Sequence, residues 1–312
     1  MNETEFSIII PVFNGEKYIK ECIESAVSQS FKGKYEIIVV NDGSNDSTTK
    51  ILTEFKDEKL KIFNNKNSGP AFSRNFGIEK ARGKHIAFLD SDDILDKDAL
   101  QNFYDVWHSA YCKNGLEADI IFAPYYVIRE HKNDIKLYFP LKKFIPEKNF
   151  LNISTTKGEV LKGNFEPWAK IYKRDFLIKN GIKFTEARLA EDLPFFYKAV
   201  SSTEKILLCK KPVYFYRKGH KQFLKEGKYD WDNEVINALL ESDEIIKKCH
   251  DFKLIEKIYA KNCLDICLFW ARKFKNLKNR GEFYAFCRKY LSKYGLHNNF
   301  TIKLFIRNLV DI

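Results

Sequence analysis

Apolar runs of strand length alternate with helical patterns over the first 93 residues, and this alternation constrains the fold more than any other feature of the sequence. Continuous apolar runs are typical of strands that are buried on both faces of a parallel sheet. The predicted strands are residues 6–12, 35–40, 60–63 and 86–89, and the helices between them are predicted at residues 18–27, 47–55 and 71–81. Strands separated in this way by helices predict a doubly wound, mostly parallel sheet with right-handed crossovers.

The fourth predicted strand ends abruptly in three carboxylates, Asp90, Asp92 and Asp93. Open α/β sheets bind ligands in the crevice beyond the carboxyl ends of their strands. If the strand continues, Asp90 and Asp92 share one face, where their like charges favour a bound cation. Hard oxygen ligands prefer Mg²⁺ or Mn²⁺. The alternative is an acidic turn in which Asp93 or Asp96 caps the next helix, and the short Asp-Ser-Asp motif alone leaves both interpretations open.

Two more polar loops follow predicted strands, at Phe13-Asn14 and at Asn41-Asp42. The carboxyl ends of parallel strands lie at one edge of the sheet, so these loops and the acidic cluster predict a single pocket. The sequence has no Gly-x-Gly-x-x-Gly after the first strand and no Gly-Lys-Ser/Thr loop, which argues against a dinucleotide oxidoreductase or a P-loop enzyme. The pattern instead indicates a nucleotide whose phosphates are held by a metal.

Length and composition predict a folded cytoplasmic protein. The 312 residues are enough for one large domain or two, and 45% hydrophobic with 30% charged residues is ordinary for a globular chain. No apolar run reaches the roughly 18 residues of a spanning helix, and the acidic first residues differ from the basic start of a signal peptide. The seven cysteines are odd in number and have no zinc-binding spacing, which suits a reducing compartment.

The net charge of +11 is concentrated near the end of the chain. Residues 271–312 hold ten Lys and Arg residues against two acidic ones. Such a surplus attracts nucleic acid, anionic lipid or a phosphorylated substrate, whereas the plainer alternative is a solvated helical face. Helical spacing begins at about residue 229, so this region is predicted to be a helical appendage with a basic and aromatic exposed side.

Seven motifs follow one another along roughly the first 220 residues. They are Ser7–Asn14, Ile37–Ser44, Asn67-Ser-Gly69 with Arg74-Asn75, Phe88–Asp93, Trp168–Leu177, Glu191–Leu193 and Val213–Arg217. Together they resemble the family 2 glycosyltransferases, which bind nucleotide sugars on a GT-A fold. The resemblance implies an α/β, Rossmann-like sheet that is mostly parallel and flanked by helices. We expect residues 1–228 to form the catalytic domain and residues 229–312 to form the helical, basic C-terminal region.

The resemblance also implies a donor site built from the loops at the strand ends. Its nucleotide-sugar-binding residues are Pro11, Phe13, Asn14, Asp42, Gly69, Arg74, Asp90, Ser91 and Arg217. Within this set, Asp42 is implied to hydrogen-bond the base and Asp90 to contact the ribose. Core packing competes with base contact for Phe13, a turn role competes with binding for Asp42, and a surface charge is the alternative for Arg74.

By the same resemblance Asp92 ligates a divalent metal, Mn²⁺ or Mg²⁺, that bridges the diphosphate and offsets its developing charge. His220 is a candidate for completing the metal or phosphate shell. Here the chain departs from the family pattern, which often places a Ser soon after the Tyr-Phe-Tyr-Arg motif, so a role for Arg217 or Lys218 on the diphosphate stays open.

A carboxylate must take the proton from the attacking hydroxyl. Glu191-Asp192-Leu193 matches the family motif whose Asp is that base, so Asp192 is implied to be the base and Glu191 to orient its surroundings. Adjacent carboxylates at a helix start would alternatively complement the helix dipole. Trp168 and Lys170 are implied to line the acceptor or sugar side of the pocket, with core packing as the alternative for Trp168.

These features predict an inverting transferase that moves a sugar from a nucleotide-diphosphate sugar, UDP-linked, to a hydroxyl of a glycan or lipid-linked acceptor in bacterial-type surface glycan synthesis. We expect it in the cytoplasm, with residues 271–312 as a contact to the anionic inner face of the membrane and with no nucleic-acid partner. A nucleotidyltransferase is one rival, but Pro11–Gly15 lacks a Gly-rich phosphate loop. An inactive module that binds lipid or nucleic acid is the other, and intact Asp92 and Asp192 argue against it.

Overall fold

The fold is two sheets flanked by helices. A computed structural model of the chain describes residues 3–129, 134–138, 160–161, 163, 165–219, 231–274 and 280–300. The strands are β1 (Phe6–Val12), β2 (Tyr35–Asn41), β3 (Leu60–Asn64), β4 (His85–Phe88), β5 (Ile94–Leu95), β6 (Ile120–Phe122), β7 (Tyr125–Arg129), β8 (Asp134–Tyr138), β9 (Lys170–Lys173), β10 (Ile206–Leu208) and β11 (Tyr214–Arg217). The helices are α1 (Ile19–Val27), α2 (Thr48–Glu54), α3 (Pro70–Lys80), α4 (Ala99–Asn114), α5 (Arg174–Lys179), α6 (Asp192–Ser201), α7 (Trp231–Lys247), α8 (Phe252–Lys273) and α9 (Arg280–Ser292).

The larger sheet has seven strands in the order β10-β6-β9-β4-β1-β2-β3. Strand β9 runs antiparallel to both β4 and β6, whereas the other neighbours pair in parallel. Every residue of β1 and β2 is buried, because helices cover both faces of the sheet, and this explains their mostly apolar sequences. The predicted mostly parallel sheet and its first four strands are therefore confirmed.

The acidic cluster is a turn and not the end of a strand. Strand β4 stops at Phe88, and the backbone N–H of Asp93 donates to the carbonyl of Asp90 at 3.1 Å before β5 begins. The expectation that Asp90 and Asp92 share a strand face is therefore wrong, because strand alternation does not extend into a turn. The turn still lies at the carboxyl edge of the larger sheet, where the strand pattern placed it.

A second sheet, which the sequence did not reveal, fixes this turn. It has four strands in the order β5-β11-β7-β8, with β11 antiparallel to β5. Because β5 follows the acidic turn directly, pairing with β11 brings residues from more than 110 positions later in the chain beside the aspartates. The smaller sheet therefore determines the shape of the acidic turn.

The C-terminal helices α7, α8 and α9 share one hydrophobic cluster with helix α6 and with one face of the larger sheet. Phe274, Phe283, Tyr290 and Phe300 are all buried in it. The expected aromatic exposed side of residues 271–312 is therefore wrong for these residues, because they fill the space between helices. None of the helices within the described part of the chain is long and apolar enough to cross a membrane.

Candidate active site

The loop after β1 is tied to the loop after β2. The backbone N–H of Asn14 donates to Ser44 Oγ at 3.0 Å, and the Asn14 side chain accepts from the N–H of Asn45 at 2.9 Å. Asn14 has a positive φ of 51°, a conformation that asparagine tolerates better than most residues. Pro11 is buried within β1, whereas Phe13 is 42% exposed at the rim. Core packing is therefore wrong for Phe13, and its ring is accessible to a ligand.

Asp42 holds the third loop of the site. Its two carboxylate oxygens accept from the backbone N–H groups of Ser68 and Gly69, each at 2.7 Å. Burial raises the pKa of Asp42, and these two hydrogen bonds and the nearby Arg188 oppose that rise. Gly69 has a φ of 99°, and a Cβ there would meet the Arg188 side chain at 3.3 Å. Each carboxylate oxygen has a second lone pair, so Asp42 can still accept from the N–H of a base.

Arg74 joins the acidic turn to the start of helix α6. Its guanidinium donates to Asp90 Oδ1 at 2.7 Å and to Glu191 Oε1 at 2.6 Å, and it lies 5.4 Å from the centre of the Phe184 ring. Arg74 is buried, so the surface-charge alternative is wrong. A buried cation requires this pairing, because its desolvation is otherwise uncompensated. One side chain thus brings Asp90 and Glu191 together across 101 positions of sequence.

Asp93 is the structural member of the acidic turn. Its carboxylate accepts from the Tyr214 hydroxyl and from the backbone N–H of Arg217, each at 2.7 Å. The same Tyr214 hydroxyl accepts from the N–H of Asp90 at 3.1 Å. Burial, then Asp92 and Asp90, raise the pKa of Asp93 well above its usual range. Asp93 therefore anchors the turn to β11 and does not face a ligand.

Asp92 and Asp90 are the other two carboxylates of the acidic turn, and Asp90 already binds Arg74 through one oxygen, Oδ1. Burial, and next the charge of Asp90, raise the pKa of Asp92 to about 6. Ser91, between them, is half-buried near the loop after β1, and a Cβ on Gly15 would be 3.6 Å from its hydroxyl oxygen. In the described residues no three His, Cys, Asp or Glu side chains are grouped to hold a metal. Two carboxylates nevertheless fit Mg²⁺, which commonly takes one or two from the protein and the rest of its ligands from water and substrate phosphates.

Asp192 is the first residue of α6, directly after the Arg74-bound Glu191. The turn before the helix contains Ala190 at a φ of 59°, a strained conformation for a non-glycine residue. Burial raises the pKa of Asp192 to about 8, with contributions from Glu191 and Glu166, and the charge of Arg74 opposes the shift. A pKa close to neutral pH is what a general base requires, because the group must accept a proton and later release it.

Trp168 and Lys170 lie behind the site, enclosed by protein. Trp168 is 2% exposed and stacks on Tyr214 and Tyr216, with ring centroids 4.7 and 5.1 Å away. Lys170 is 1% exposed, and its Nζ donates to the carbonyl of Glu166 at 2.7 Å. Burial lowers the pKa of Lys170 to about 7, while the charges of Glu166 and Asp192 oppose this. Trp168 thus supports the tyrosine that holds Asp93, and contact of either residue with a sugar stays a prediction.

Arg217 ends β11 and extends toward α1. Its guanidinium pairs with Glu21 and lies 4.9 Å from the centre of the Tyr18 ring. Its charge also lowers the pKa of Asp92 against the larger effect of burial. Contact with the diphosphate stays a prediction for Arg217. His220, the candidate for the metal or phosphate shell, lies outside the described residues.

The family model for glycosyl transferase family 2 matches residues 7–158. The minor teichoic acid biosynthesis protein GgaA of Bacillus subtilis is 34% identical over 224 residues. This chain belongs to the family 2 glycosyltransferases. The glycosyltransferase GlyA of Streptococcus pneumoniae, another relative, is 27% identical over 250 residues. The two alignments cover 70% and 77% of this chain but 48% and 34% of the relatives, so the chain spans half of their length or less.

Solved structures show the same fold. The crystal structure of Staphylococcus aureus TarS residues 1–349 matches with a TM-score of 0.66 at 23% identity, over 90% of this chain and 74% of that one. The structure of the same TarS fragment in complex with UDP-GlcNAc matches with a TM-score of 0.65 at 23% identity, over 89% and 75% of the two chains. The likeness establishes for this family 2 member the GT-A type of fold that the motifs implied.

Three structural residues lie in or close to the sequence motifs of this family 2 chain, and the sequence did not reveal their roles. Asn75 binds both backbone groups of Phe184, at 2.8 and 2.9 Å, and Tyr214 holds the acidic turn. Arg188, three positions before Glu191, donates to the side-chain and backbone oxygens of Asn67 at 2.9 and 2.7 Å. The sequence signals the role of Arg188 only by placing a cation close to the Glu-Asp motif, because the partner of Arg188, Asn67, is 121 positions away.

Proposed function

We propose that the chain transfers a sugar from a UDP-linked donor to a hydroxyl of a glycan or lipid-linked acceptor in cell-surface glycan synthesis, with inversion of the anomeric centre. The observation that carries this proposal is the meeting of donor-side and acceptor-side carboxylates around buried Arg74. Asp90 of the acidic turn and Glu191 beside Asp192 bind the same guanidinium. A transferase needs this proximity, because the leaving diphosphate and the attacking hydroxyl react at one carbon.

The donor half of the site suits a nucleotide. Phe13 offers an accessible ring at the rim, and Asp42 offers carboxylate oxygens beside the glycine loop at residue 69. Asp90 and Ser91 lie in the adjoining acidic turn, and Arg217 follows on β11. The TarS complex with UDP-GlcNAc, a protein of the same fold, supports a UDP-linked donor for this chain.

Asp90 and Asp92 would hold a divalent cation, Mg²⁺ or Mn²⁺, which supplies Lewis-acid stabilisation of the leaving diphosphate when bound. The remaining chemistry falls to the protein's own residues. Asp192, once ionised, accepts the proton of the acceptor hydroxyl while that oxygen attacks the anomeric carbon. Its partial burial and its neighbours Glu191 and Glu166 make it more basic than an exposed aspartate. Glu191, fixed by Arg74, orients the start of α6 that carries the base.

The setting of the reaction follows from the acceptor class. Relatives include a teichoic acid biosynthesis protein, which supports a surface-glycan acceptor. We propose that the enzyme works in the cytoplasm at the membrane face. The cations Arg272, Lys273, Arg288, Lys289 and Lys293 are exposed on α8, α9 and the turn after α9, which supports an electrostatic contact with anionic lipid. The buried aromatics Phe274, Phe283, Tyr290 and Phe300 are not available for this contact, whereas Phe269 on α8 is 52% exposed.

A panel of nucleotide sugars tests the function directly. The purified protein is incubated with each donor, with Mn²⁺ or Mg²⁺ and with a mixture of glycan and lipid-linked acceptors, and nucleotide release is measured. We expect release from one or a few UDP-sugars, loss of release in excess chelator, and recovery when metal is restored. The anomeric configuration of the product, measured by NMR, should be opposite to that of the donor. Retention of configuration, or full activity in excess chelator, would contradict the corresponding part of the proposal.

A further inference from the structure

The loop at residues 184–191 carries the Glu-Asp motif into helix α6, and the rest of the fold holds it from several directions. At its start, the side chain of Asn75 on α3 binds the backbone N–H and carbonyl of Phe184. At its end, Glu191 binds Arg74 on the same helix. Helix α3 therefore fixes both ends of the loop, while its middle depends on other elements.

A C-terminal helix holds the middle. Glu234, in the first turn of α7, accepts from the backbone N–H groups of both Arg188 and Leu189, at 2.5 and 2.9 Å, through a single carboxylate oxygen. These hydrogen bonds are charge-assisted and therefore stronger than bonds between neutral groups. The next residue is Ala190, whose positive φ of 59° persists only where the surroundings enforce it. Glu234 thus constrains the backbone two residues before Glu191.

The same segment reaches the donor side. The Arg188 guanidinium donates to Asn67 Oδ1 and to the Asn67 carbonyl, at 2.9 and 2.7 Å. Asn67 has a φ of 32° and precedes Ser68 and Gly69, whose N–H groups bind Asp42. A continuous set of hydrogen bonds therefore runs from α7 through Arg188 to the loop at residues 67–69.

We propose that Glu234 and Arg188 are positioning residues that couple the placement of Asp192 to the donor loop at residues 67–69. The names base and donor rest on the function proposed above, whereas the physical coupling between the two loops does not. Energetic coupling is reciprocal, so a nucleotide that orders the donor loop also favours the Asp192 position. Helix α7 of the C-terminal region is then part of the active site and not an appendage to it.

Amide hydrogen exchange on the full chain without ligand tests the coupling independently of activity. Glu234→Ala removes the acceptor, Glu234→Gln keeps an amide oxygen in its place, and Arg188→Met removes the guanidinium. The matched control is Glu244→Ala, which removes an exposed carboxylate from the same helix. We expect Glu234→Ala to speed exchange about 10-fold at residues 68, 69, 188 and 189, and Arg188→Met to do so at residues 68 and 69. Glu234→Gln should speed it less than Glu234→Ala, because a weaker, neutral acceptor remains, and Glu244→Ala should leave it unchanged. Unchanged exchange at residues 68 and 69 in folded Glu234→Ala and Arg188→Met would overturn the proposal.

Kinetics and calorimetry then distinguish a positioning role of Glu234 and Arg188 from a purely structural one. For a transferring enzyme, Glu234→Ala should lower kcat about 10-fold and weaken UDP binding by a similar factor, with recovery in Glu234→Gln. The effects of Glu234→Ala and Arg188→Met on UDP affinity should be far from additive, because both act through one set of contacts. Additive effects would overturn the coupling. A wild-type protein that binds no nucleotide would instead contradict the proposed function, and the exchange data would still decide the coupling.

Discussion

At the scale of single residues, the burial of carboxylates in the candidate site lowers the stability of the folded state. Four of them, Asp42, Asp92, Asp93 and Asp192, have pKa values raised by burial. Two of the four are fixed by hydrogen bonds from two other residues each: Asp42 by Ser68 and Gly69, and Asp93 by Tyr214 and Arg217. Costly ionisable groups of this kind are concentrated at functional sites, because the surroundings that raise their energy also tune their chemistry.

Asp192 should therefore make the folded state less stable as the pH rises. Its folded pKa is about 8, whereas that of an aspartate in the unfolded chain is about 3.8, so between these values the folded state keeps a proton that the unfolded state has lost. Stability contributed by this group is highest below about pH 4 and falls until about pH 8. Asp192→Asn removes this effect, so its stability relative to the wild type should increase by up to about 4 kcal/mol from pH 5 to pH 8, at about 1.4 kcal/mol for each pH unit.

Urea unfolding at pH 5, 6.5 and 8 measures this difference. Asp175→Asn, at an 83% exposed side chain in the first turn of α5, is the control for removing a carboxylate from a helix start. A difference between Asp192→Asn and the wild type that is constant across the three pH values would contradict the raised pKa.

At the scale of secondary-structure elements, the smaller sheet fixes the conformation of the acidic turn. Strand β11 pairs with β5, and its Tyr214 holds the turn at Asp90 and Asp93 while stacking on Trp168. The larger sheet alone would place the aspartates at its edge without fixing their directions. Tyr214 is thus the joint between the two sheets.

Tyr214→Phe should remove the hydrogen bonds that hold the acidic turn without disturbing the stacking on Trp168. The change leaves the Asp93 carboxylate and the Asp90 N–H without the hydroxyl that both contact. An unfolding free energy lower by about 1–3 kcal/mol is expected, because buried polar groups lose a partner. The measurement is urea denaturation, and Tyr111→Phe, at an exposed ring on α4, is the control. Wild-type stability in Tyr214→Phe would show that the turn does not depend on this hydroxyl.

The elements also show which parts of the fold were predictable from the sequence. Strands β1 and β2 were, because residues 6–12 and 35–40 are mostly apolar runs of the kind that is typical of a sheet covered on both faces. A turn at the acidic cluster was one of the two alternatives that the sequence left open, but its shape was not predictable, because it depends on Tyr214, 121 positions after Asp93. Burial of Arg74 depends in the same way on Glu191, 117 positions away. Local patterns identify elements, whereas long-range partners decide which polar side chain is buried.

At the scale of the whole molecule, the helices after residue 231 are joined to the catalytic sheet by a common core. Tyr259, Cys263 and Phe274 belong to the same cluster as Ile9 and Ile38 of the central strands. The division near residue 228 falls within residues that the structure does not describe and stays a prediction. The sequence correctly predicted helices here but not the destination of their aromatic side chains, because helical spacing does not tell a core-facing stripe from a membrane-facing one.

Binding of the whole molecule to anionic membranes should depend mainly on charge. Each cation near an anionic surface contributes about 1 kcal/mol, so changing Lys273, Arg288 and Lys289 together to Gln should weaken binding roughly 100-fold. Co-sedimentation with vesicles that contain or lack phosphatidylserine, at low and high salt, measures this. The control changes the exposed Lys50, Lys179 and Lys183 to Gln, which removes the same charge from the sheet region. Binding that is insensitive to salt, or no binding, would contradict a membrane role for these helices.

The central claim is that Asp192 is the base of a sugar transfer at a site where the donor is held by other residues. The most direct test compares Asp192→Asn with the wild type for kcat, using the donor found in the panel, and for UDP affinity by calorimetry. The amide keeps the size of the side chain but cannot take a proton, so kcat should fall about 10²–10⁴-fold while UDP affinity stays within about 2-fold. An unchanged kcat, or a loss of UDP affinity as large as the loss of rate, would contradict the claim.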